Sequence, residues 1–541
     1  MNMLPVIFPL ACAALAAVLY KFLPRAAKFL VFAGTSLAFL SVFTLNNIYT
    51  LQLADLAAAP DIFSLTLAAF IAFYALLSGV CAIKEEDSPL FHINLLLSAA
   101  FALGAVLAAD LKAMLFFWEA LLITLFLFLL PYNKQVAVKA FLINAAGDVF
   151  LLAGIALFAR GPGAAAFILM LTGAAAKAGA LPFHSWIAPA VKAAPTAFSA
   201  MMPGAVEKLL AVFLMGKMFT MLWPALPAAG TFFGCVLGAL SVVAAAAHML
   251  KFEDLKNLLA WAVVMQIGLL ILGLCARGAG DTFYTLNHGL FKAALLACAF
   301  FAAGALQAGF GGTALADLKG AGRRDVFSFI VLIICALGLA GVSIVDLLFV
   351  PNVVLFDTYA AAPLLAFVPV AGALVTLFAF FKVIFAMAAK GGAAAKPAAL
   401  FKIVTAAAFL PVLFFTFGFE FSSDMLLAPH FAGLHMDLTS LACVVILLGG
   451  IFMAAFIRQP SYQIKYDAFD IAKAGVNALA AALFKIDRFM DKILDTWPSK
   501  AAAKTSAWIS ASHGGNTPQY VLWAACGIIV FILLSYIGGA K

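Results

Sequence analysis

The sequence predicts an all-α polytopic membrane protein: about sixteen transmembrane helices plus a C-terminal lateral amphipathic helix. Three observations predict it. Of 541 residues, 66% are hydrophobic and only 10% are charged, where a soluble domain carries about 25% charge. Mean hydropathy is +1.13, too apolar for any soluble core to absorb. Apolar runs long enough to cross a bilayer also recur along the whole chain, separated by short polar interruptions.

By the criterion of about 20 apolar residues per span, runs centre near residues 12, 37, 71, 100, 122, 148, 173, 212, 239, 266, 295, 337, 376, 410, 447 and 528. Hydrocarbon offers no partner to a free backbone amide, so each must be helical. The first run lacks a basic stretch before it and reads as a retained helix, not a cleaved signal. Lys21, Arg25 and Lys28 follow the first run, and Lys251 and Lys256 the ninth. Lys319, Arg323 and Arg324 follow the eleventh, and Lys390, Lys396 and Lys402 the thirteenth. Alternate loops are poor in basic residues, so the positive-inside rule places these loops in the cytoplasm and both termini outside. Such a chain belongs in a prokaryotic cytoplasmic membrane.

One segment departs from the pattern. Between 461 and 515, Ala472, Val476, Leu479, Leu483, Ile486, Met490, Ile493 and Trp497 recur at gaps of four and three. They form one stripe on a long helix, with Lys473, Lys485, Arg488 and Asp491 off it. This predicts a helix lying along the cytoplasmic membrane surface against lipid or other helices, before a final span over 518–538.

Composition also excludes functions. The net charge of +8 sits in loops and no basic cluster is interleaved with aromatics, so nucleic acid is not an expected partner. The eight cysteines are scattered through apolar runs, with no CxxC and no Cys/His cluster. A Gly-rich dinucleotide loop and a nucleophile–base arrangement are lacking too. The expectation is a chain without a catalytic site or cofactor of its own.

The informative residues are charges inside spans, each costing about 2.5–3.5 kcal/mol at a helix centre on insertion scales. Glu119 lies in LFFWEALL, Lys177 in AAAKAGALP, and Glu207 and Lys208 in GAVEKLLAV. His248 lies in AAAHML, His288 and Lys292 in LNHGLFKAA, and Lys382 in FAFFKVIF. Lysine and histidine titrate readily when desolvated, so such a row bridged by water can pass protons. His288 and Lys292, four apart, share one helix face. Glu119 is expected to pair with Lys177 if the spans near 122 and 173 touch. Pro182, Pro189 and Pro195 follow Lys177, predicting a broken helix beside it, as where backbone lines a hydrated cavity.

The stretch KAGALPFHSWIAPAVKAAPTAFSAMM from Lys177 resembles the signature of the antiporter-like subunits of respiratory complex I, membrane-bound hydrogenases and Mrp antiporters. AVKAFLINAAGDVF (137–150), HMLKFEDLKNLLAWAVVMQIG (248–268) and LNHGLFKAALL (286–296) resemble the same family in the same order, and DLKGAGRRD follows from Asp317. The resemblance covers roughly residues 60 to 390. It implies two inverted five-helix repeats, each with one broken helix. The organisation then reads as N-terminal helices over 1–110 and a first repeat over 90–222, broken near 177–195. A second repeat follows over 228–390, with further helices over 400–458, the lateral helix over 461–515 and the last span over 518–538.

Carried over onto this sequence, the resemblance makes Glu119, Lys177, Lys208, His248, His288, Lys292, Asp346 and Lys382 the proton path, supported by Asp148, Glu207 and Pro182. It also shows departures. Pro351 stands where the second broken helix usually carries a lysine, leaving Asp346 and Lys382 as the nearest substitutes. Ala145 stands where an arginine is usual before Asp148, and Pro203 where the distal complex I subunit carries a histidine. The implied function is proton (alternatively sodium) translocation in a redox-driven complex. The alternatives are an Mrp-type cation/proton antiporter and the membrane half of a proton-coupled inorganic carbon uptake complex. Expected partners are other membrane subunits met through the lateral helix, a soluble redox or zinc-containing subunit, and lipid. Iron–sulfur, flavin or nickel is expected in partners alone.

Overall fold

The structure is a computed structural model. It describes residues 3–44 except 24, 62–341 except 224, 253 and 278–281, 358, 363–391, 398–416, 419–421, 427–429, 446–454 except 453, and isolated positions from 485 to 528. Two compact units divide the chain, Met1–Lys485 and Ile486–Lys541. Asp346, Pro351, nearly all of the lateral helix and the final span lie outside the described residues, and so does most of the run near 447.

The first unit is a helical bundle. Its helices are α1 (Leu4–Leu19), α2 (Ala26–Phe43), α3 (Ile62–Glu85), α4 (Pro89–Val106), α5 (Leu111–Leu129), α6 (Lys134–Phe158), α7 (Ala164–Ala178), α8 (Ile187–Ala193), α9 (Thr196–Met201), α10 (Glu207–Lys217), α11 (Ala228–Met249), α12 (Leu255–Arg277), α13 (Thr282–Phe310), α14 (Val326–Leu339), α15 (Phe367–Ala388), α16 (Ala399–Ala408) and α17 (Leu410–Thr416). Among the described residues, eleven helical stretches are long and apolar enough to cross a membrane, and three shorter apolar helices accompany them. The chain is a multi-pass membrane protein. One small feature is not helical: Phe419–Phe421 pairs antiparallel with Leu427–Pro429.

Chemistry punctuates the helices where spans must end. Asp110 caps α5 by accepting from the amides of Lys112 and Ala113, and Asn133 caps α6 through Gln135 and Val136. Asp325 caps α14 through Ser328 and pairs with Lys402 at 3.0 Å.

Layering follows polarity. The most apolar 18-residue windows of Thr196–Leu222 and Thr285–Phe310 are buried throughout, while a third of the corresponding window of Lys134–Phe158 is buried. Large apolar side chains such as Phe29, Phe43 and Phe232 are exposed, as expected of a surface meant for lipid tails. The innermost spans are therefore the ones carrying Glu207, Lys208, His288 and Lys292, where lipid cannot compensate their charges.

Candidate functional site: a buried row of charges

The first interruption sits in α7. Gly179 closes the helix with φ 78°, and a Cβ there would meet Ile187 Cδ1 at 2.0 Å, so glycine is required twice over. The amides of Gly179 and Ala180 return to Ala176 and Ala175 at 3.0 and 2.8 Å. The Leu181 amide donates to Ser241 Oγ at 3.0 Å. Leu181–Pro182 is cis. A short 3₁₀ turn and α8 follow, and the chain re-enters a long helix at Thr196. Glu85, at the end of α3, holds that second start: its two carboxylate oxygens accept from the amides of Thr196 and Ala197, both at 2.8 Å.

Lys177 lies one residue before the end of α7, fully buried, where the helix carbonyls favour a cation. Its ammonium is 3.6 Å from Asp148 Oδ2, 3.4 Å from the Trp118 carbonyl and 5.1 Å from the centroid of the Trp118 ring. Trp118 Nε1 donates to Asp148 Oδ1 at 2.7 Å. The ion-pair partner of Lys177 is thus Asp148 on α6, where the sequence led us to expect Glu119. Glycine explains it. A Cβ at Gly147 would meet Ala176 Cβ at 2.2 Å, and one at Gly173 would meet Leu151 Cβ at 2.6 Å. This glycine seam brings α6 so close to α7 that Asp148 reaches Lys177 first. Glu119 is half-buried and within electrostatic range of both.

The row continues inward. Glu207 is within electrostatic range of Lys177 and Asp148. Its neighbour Lys208 is within range of Lys292, and His288 of both lysines. Adjacent helical residues point about 100° apart, so Glu207 faces the first cluster and Lys208 the second. Among the described residues, neither the Glu207 carboxyl nor the Lys208 ammonium has a hydrogen-bond partner, and both are buried. Lys292 donates to the Gly338 carbonyl and Gln266 Nε2 to the Leu339 carbonyl at 2.8 Å. These are the last carbonyls of α14, beyond which Gly341 turns with φ 73°. With a rise of 1.5 Å per residue, Glu207 and Lys208 lie about 16–18 Å inside the continuous helical stretch Thr196–Leu222, and Glu119, Asp148, His288 and Lys292 about 9–15 Å from the nearer end of α5, α6 and α13.

The remaining predicted residues fall elsewhere. His248 is half-buried, stacks on Trp261 at 3.7 Å with the rings 13° apart, and donates from Nδ1 to the Ala244 carbonyl at 2.9 Å. His184 lies 5.2 Å from the same ring, so His248 borders the α7 break. Lys382 is exposed, its ammonium 5.6 Å from the Phe252 ring, a lysine snorkelling toward the end of α15. Pro182 is in the break itself. Trp118, Glu85 and Gln266 were not singled out by the sequence. An indole beside Glu119, an acidic run at a helix end and a glutamine in a span were the available signals. Among the described residues, no three His, Cys, Asp or Glu side chains converge on a metal site.

The chain is thus a helical bundle whose interrupted spans bring buried charges together. The sequence pattern of one family, "NADH:quinone oxidoreductase/Mrp antiporter, TM", matches residues 108–378, and the chain belongs to that family. Relatives include the putative antiporter subunit mnhA2 of Staphylococcus saprophyticus, 25% identical over 307 residues, 49% of this chain and 38% of that protein. Hydrogenase-4 component B of Escherichia coli is 33% identical over 162 residues, 27% of this chain and 24% of that protein. The chain therefore spans well under half the length of these relatives. A subunit of respiratory complex I from Thermus thermophilus shares the fold, with TM-score 0.62 and 20% identity over 76% of this chain and 96% of that one.

Proposed function

We propose that this chain carries protons laterally through the membrane along the row from Glu119 to Lys292, as an antiporter-like subunit of a redox-driven pumping complex. The observation that carries the reading is the Glu207–Lys208 pair. Two adjacent buried charges without hydrogen-bond partners among the described residues face two clusters, one around the Lys177–Asp148 pair and one around His288 and Lys292. A structural ion pair would close on itself, whereas this arrangement leaves charge-bearing atoms that water alone can satisfy. Protonation of Glu207 would weaken its hold on Lys177, and the loss of a proton from Lys208 would relieve its repulsion of Lys292 and His288. Each step moves a charge one position along the row.

Two inverted repeats, over 90–222 and 228–390, suit the same reading. The helices α7 and α14 each stop at a glycine with left-handed backbone, and an inverted repeat would bring them in from opposite faces. Where α7 brings its own lysine to the break, α14 receives Lys292 from α13. The role of the missing lysine near Pro351 thus falls to Lys292. Both termini outside, a cytoplasmic lateral helix over 461–515 docking on other membrane subunits, and redox cofactors confined to partners complete the proposal.

Mrp-type cation/proton exchange is the second reading, favoured by the relative that carries the name of an antiporter subunit. Purification of the tagged chain from native membranes in mild detergent, with partner identification and metal analysis, separates the two. Partners with nickel, iron–sulfur or flavin support the redox-driven complex. Antiporter-like partners alone support exchange, and a single soluble zinc protein overturns both.

A further inference from the structure

The charge row needs a supply of protons from water, and a buried histidine outside the row has the properties for it. His92 is the fourth residue of α4, fully buried, and neither ring nitrogen has a hydrogen-bond partner among the described residues. A buried imidazole with both nitrogens unsatisfied is costly, and one without a structural bond to keep it is a candidate for function. It lies within electrostatic range of Lys28 on α2 and of Glu86 and Asp87 in the turn between α3 and α4.

Those groups make a graded mouth. The Asp87 side chain is 98% exposed and accepts from Lys28, whose ammonium also donates to the Ile83 carbonyl at 3.0 Å. That hydrogen bond and charge hold the Asp87 carboxyl below its ordinary value, so at neutral pH it stays an ionised proton collector. Glu86 is half-buried. One of its oxygens accepts from the amides of Asp87 and Ser88 at 3.1 and 3.0 Å, and the other from the Tyr132 hydroxyl. Burial, and then the Glu86 carboxylate, raise the Tyr132 phenol, which remains a donor.

Inward of His92, Ser98 Oγ donates to Thr124 Oγ1 at 2.8 Å, and Thr124 Oγ1 to the Leu121 carbonyl at 2.9 Å. Both hydroxyls are buried and can reverse their donor direction. Leu121 is one helical turn from both Thr124 and Trp118 on α5, and the Trp118 carbonyl accepts from Lys177.

We infer that His92 is the proton-loading residue of an inlet that opens between Glu86 and Asp87 and leads along α4 and α5 to the Lys177–Asp148 cluster. A proton taken from water at the carboxylates passes to a ring nitrogen of His92 and leaves from the imidazolium toward Ser98 and Thr124. The imidazole is regenerated, and no other reactant is consumed. This rests on the proposed proton translocation, but its chemistry can be read without it.

Two measurements on the full chain in native membrane vesicles test it. Diethyl pyrocarbonate modifies a neutral, water-reached imidazole, and peptide mass spectrometry locates the adduct. The expected result is modification of His92 in intact vesicles at pH 7.5. An unmodified His92, in vesicles whose detergent-denatured protein is fully modified there, overturns the inference. In the second, proton translocation of H92Q and H92F is compared with wild type and K177A between pH 6 and 8.5. The expected result is a rate lowered about tenfold in both, with the loss steepest above pH 7.5, where protons are scarce. Wild-type pH profiles in both variants, with K177A inactive, overturn the inlet while leaving the row standing. Wild-type rates in all three overturn the row, and the adduct at His92 then decides the inlet alone.

Discussion

Lys177, Asp148 and Trp118 form the tightest unit of the row. Three different helices contribute them, and each contacts the other two. D148N would leave a buried ammonium without its counter-charge, a loss of about 3–5 kcal/mol. Thermal unfolding of the purified chain should show a lower Tm, with K177M/D148N less affected than D148N alone. Equal losses in the single and double variants would show that the pair is not what stabilises the site. W118F removes the charge-assisted bond to Asp148 but keeps the ring, for about 1.5–3 kcal/mol. At the surface, the Lys28–Asp87 pair is strongest above the ordinary carboxylate range and is lost as pH falls through the lowered Asp87 value. The sequence disclosed that Lys177 needs a carboxylate but not which one. That choice depends on how closely α6 and α7 approach, a matter of Gly147 and Gly173 rather than of any charged residue.

The interrupted helix is the element on which the site depends. Its second start is fixed from outside, by the Glu85 carboxylate on the amides of Thr196 and Ala197. E85A should leave those amides without their acceptor and cost about 1–3 kcal/mol, visible as a lower midpoint of thermal unfolding and faster proteolysis near residue 195. An unchanged midpoint would mean that the helix start is held by its packing. The glycine seam gives the complementary test. G147L would drive a side chain into Ala176, costing about 1–3 kcal/mol as overpacking and parting Asp148 from Lys177. Cysteine cross-linking between α6 and α7 should then slow relative to wild type. The break itself was legible from Pro182 following Lys177, because a proline cannot continue the ladder. Its anchor was not, because Glu85 is more than 100 residues away and reads as an ordinary acidic helix end.

Across the whole molecule, the spans were the most legible feature, since a bilayer forces every apolar run of sufficient length into a helix. The runs near 37, 71, 100, 122, 148, 173, 212, 239, 266, 295 and 376 correspond to the eleven long stretches. The strand pair at 419–429 had no such signal, because a short pairing between spans is set by loop geometry. The row of charges was legible as a set of residues and not as an order. Sequence gives each charge a depth along its helix, while the neighbours of Glu207 and Lys208 come from how the helices surround α10. The central claim is that this row carries protons. It is tested most directly by acidification measurements on native membrane vesicles containing K177A or E207Q, with the driving reaction monitored in parallel. The account predicts that proton translocation falls at least tenfold in both while the driving reaction continues. Proton translocation at wild-type yield in both variants would contradict it.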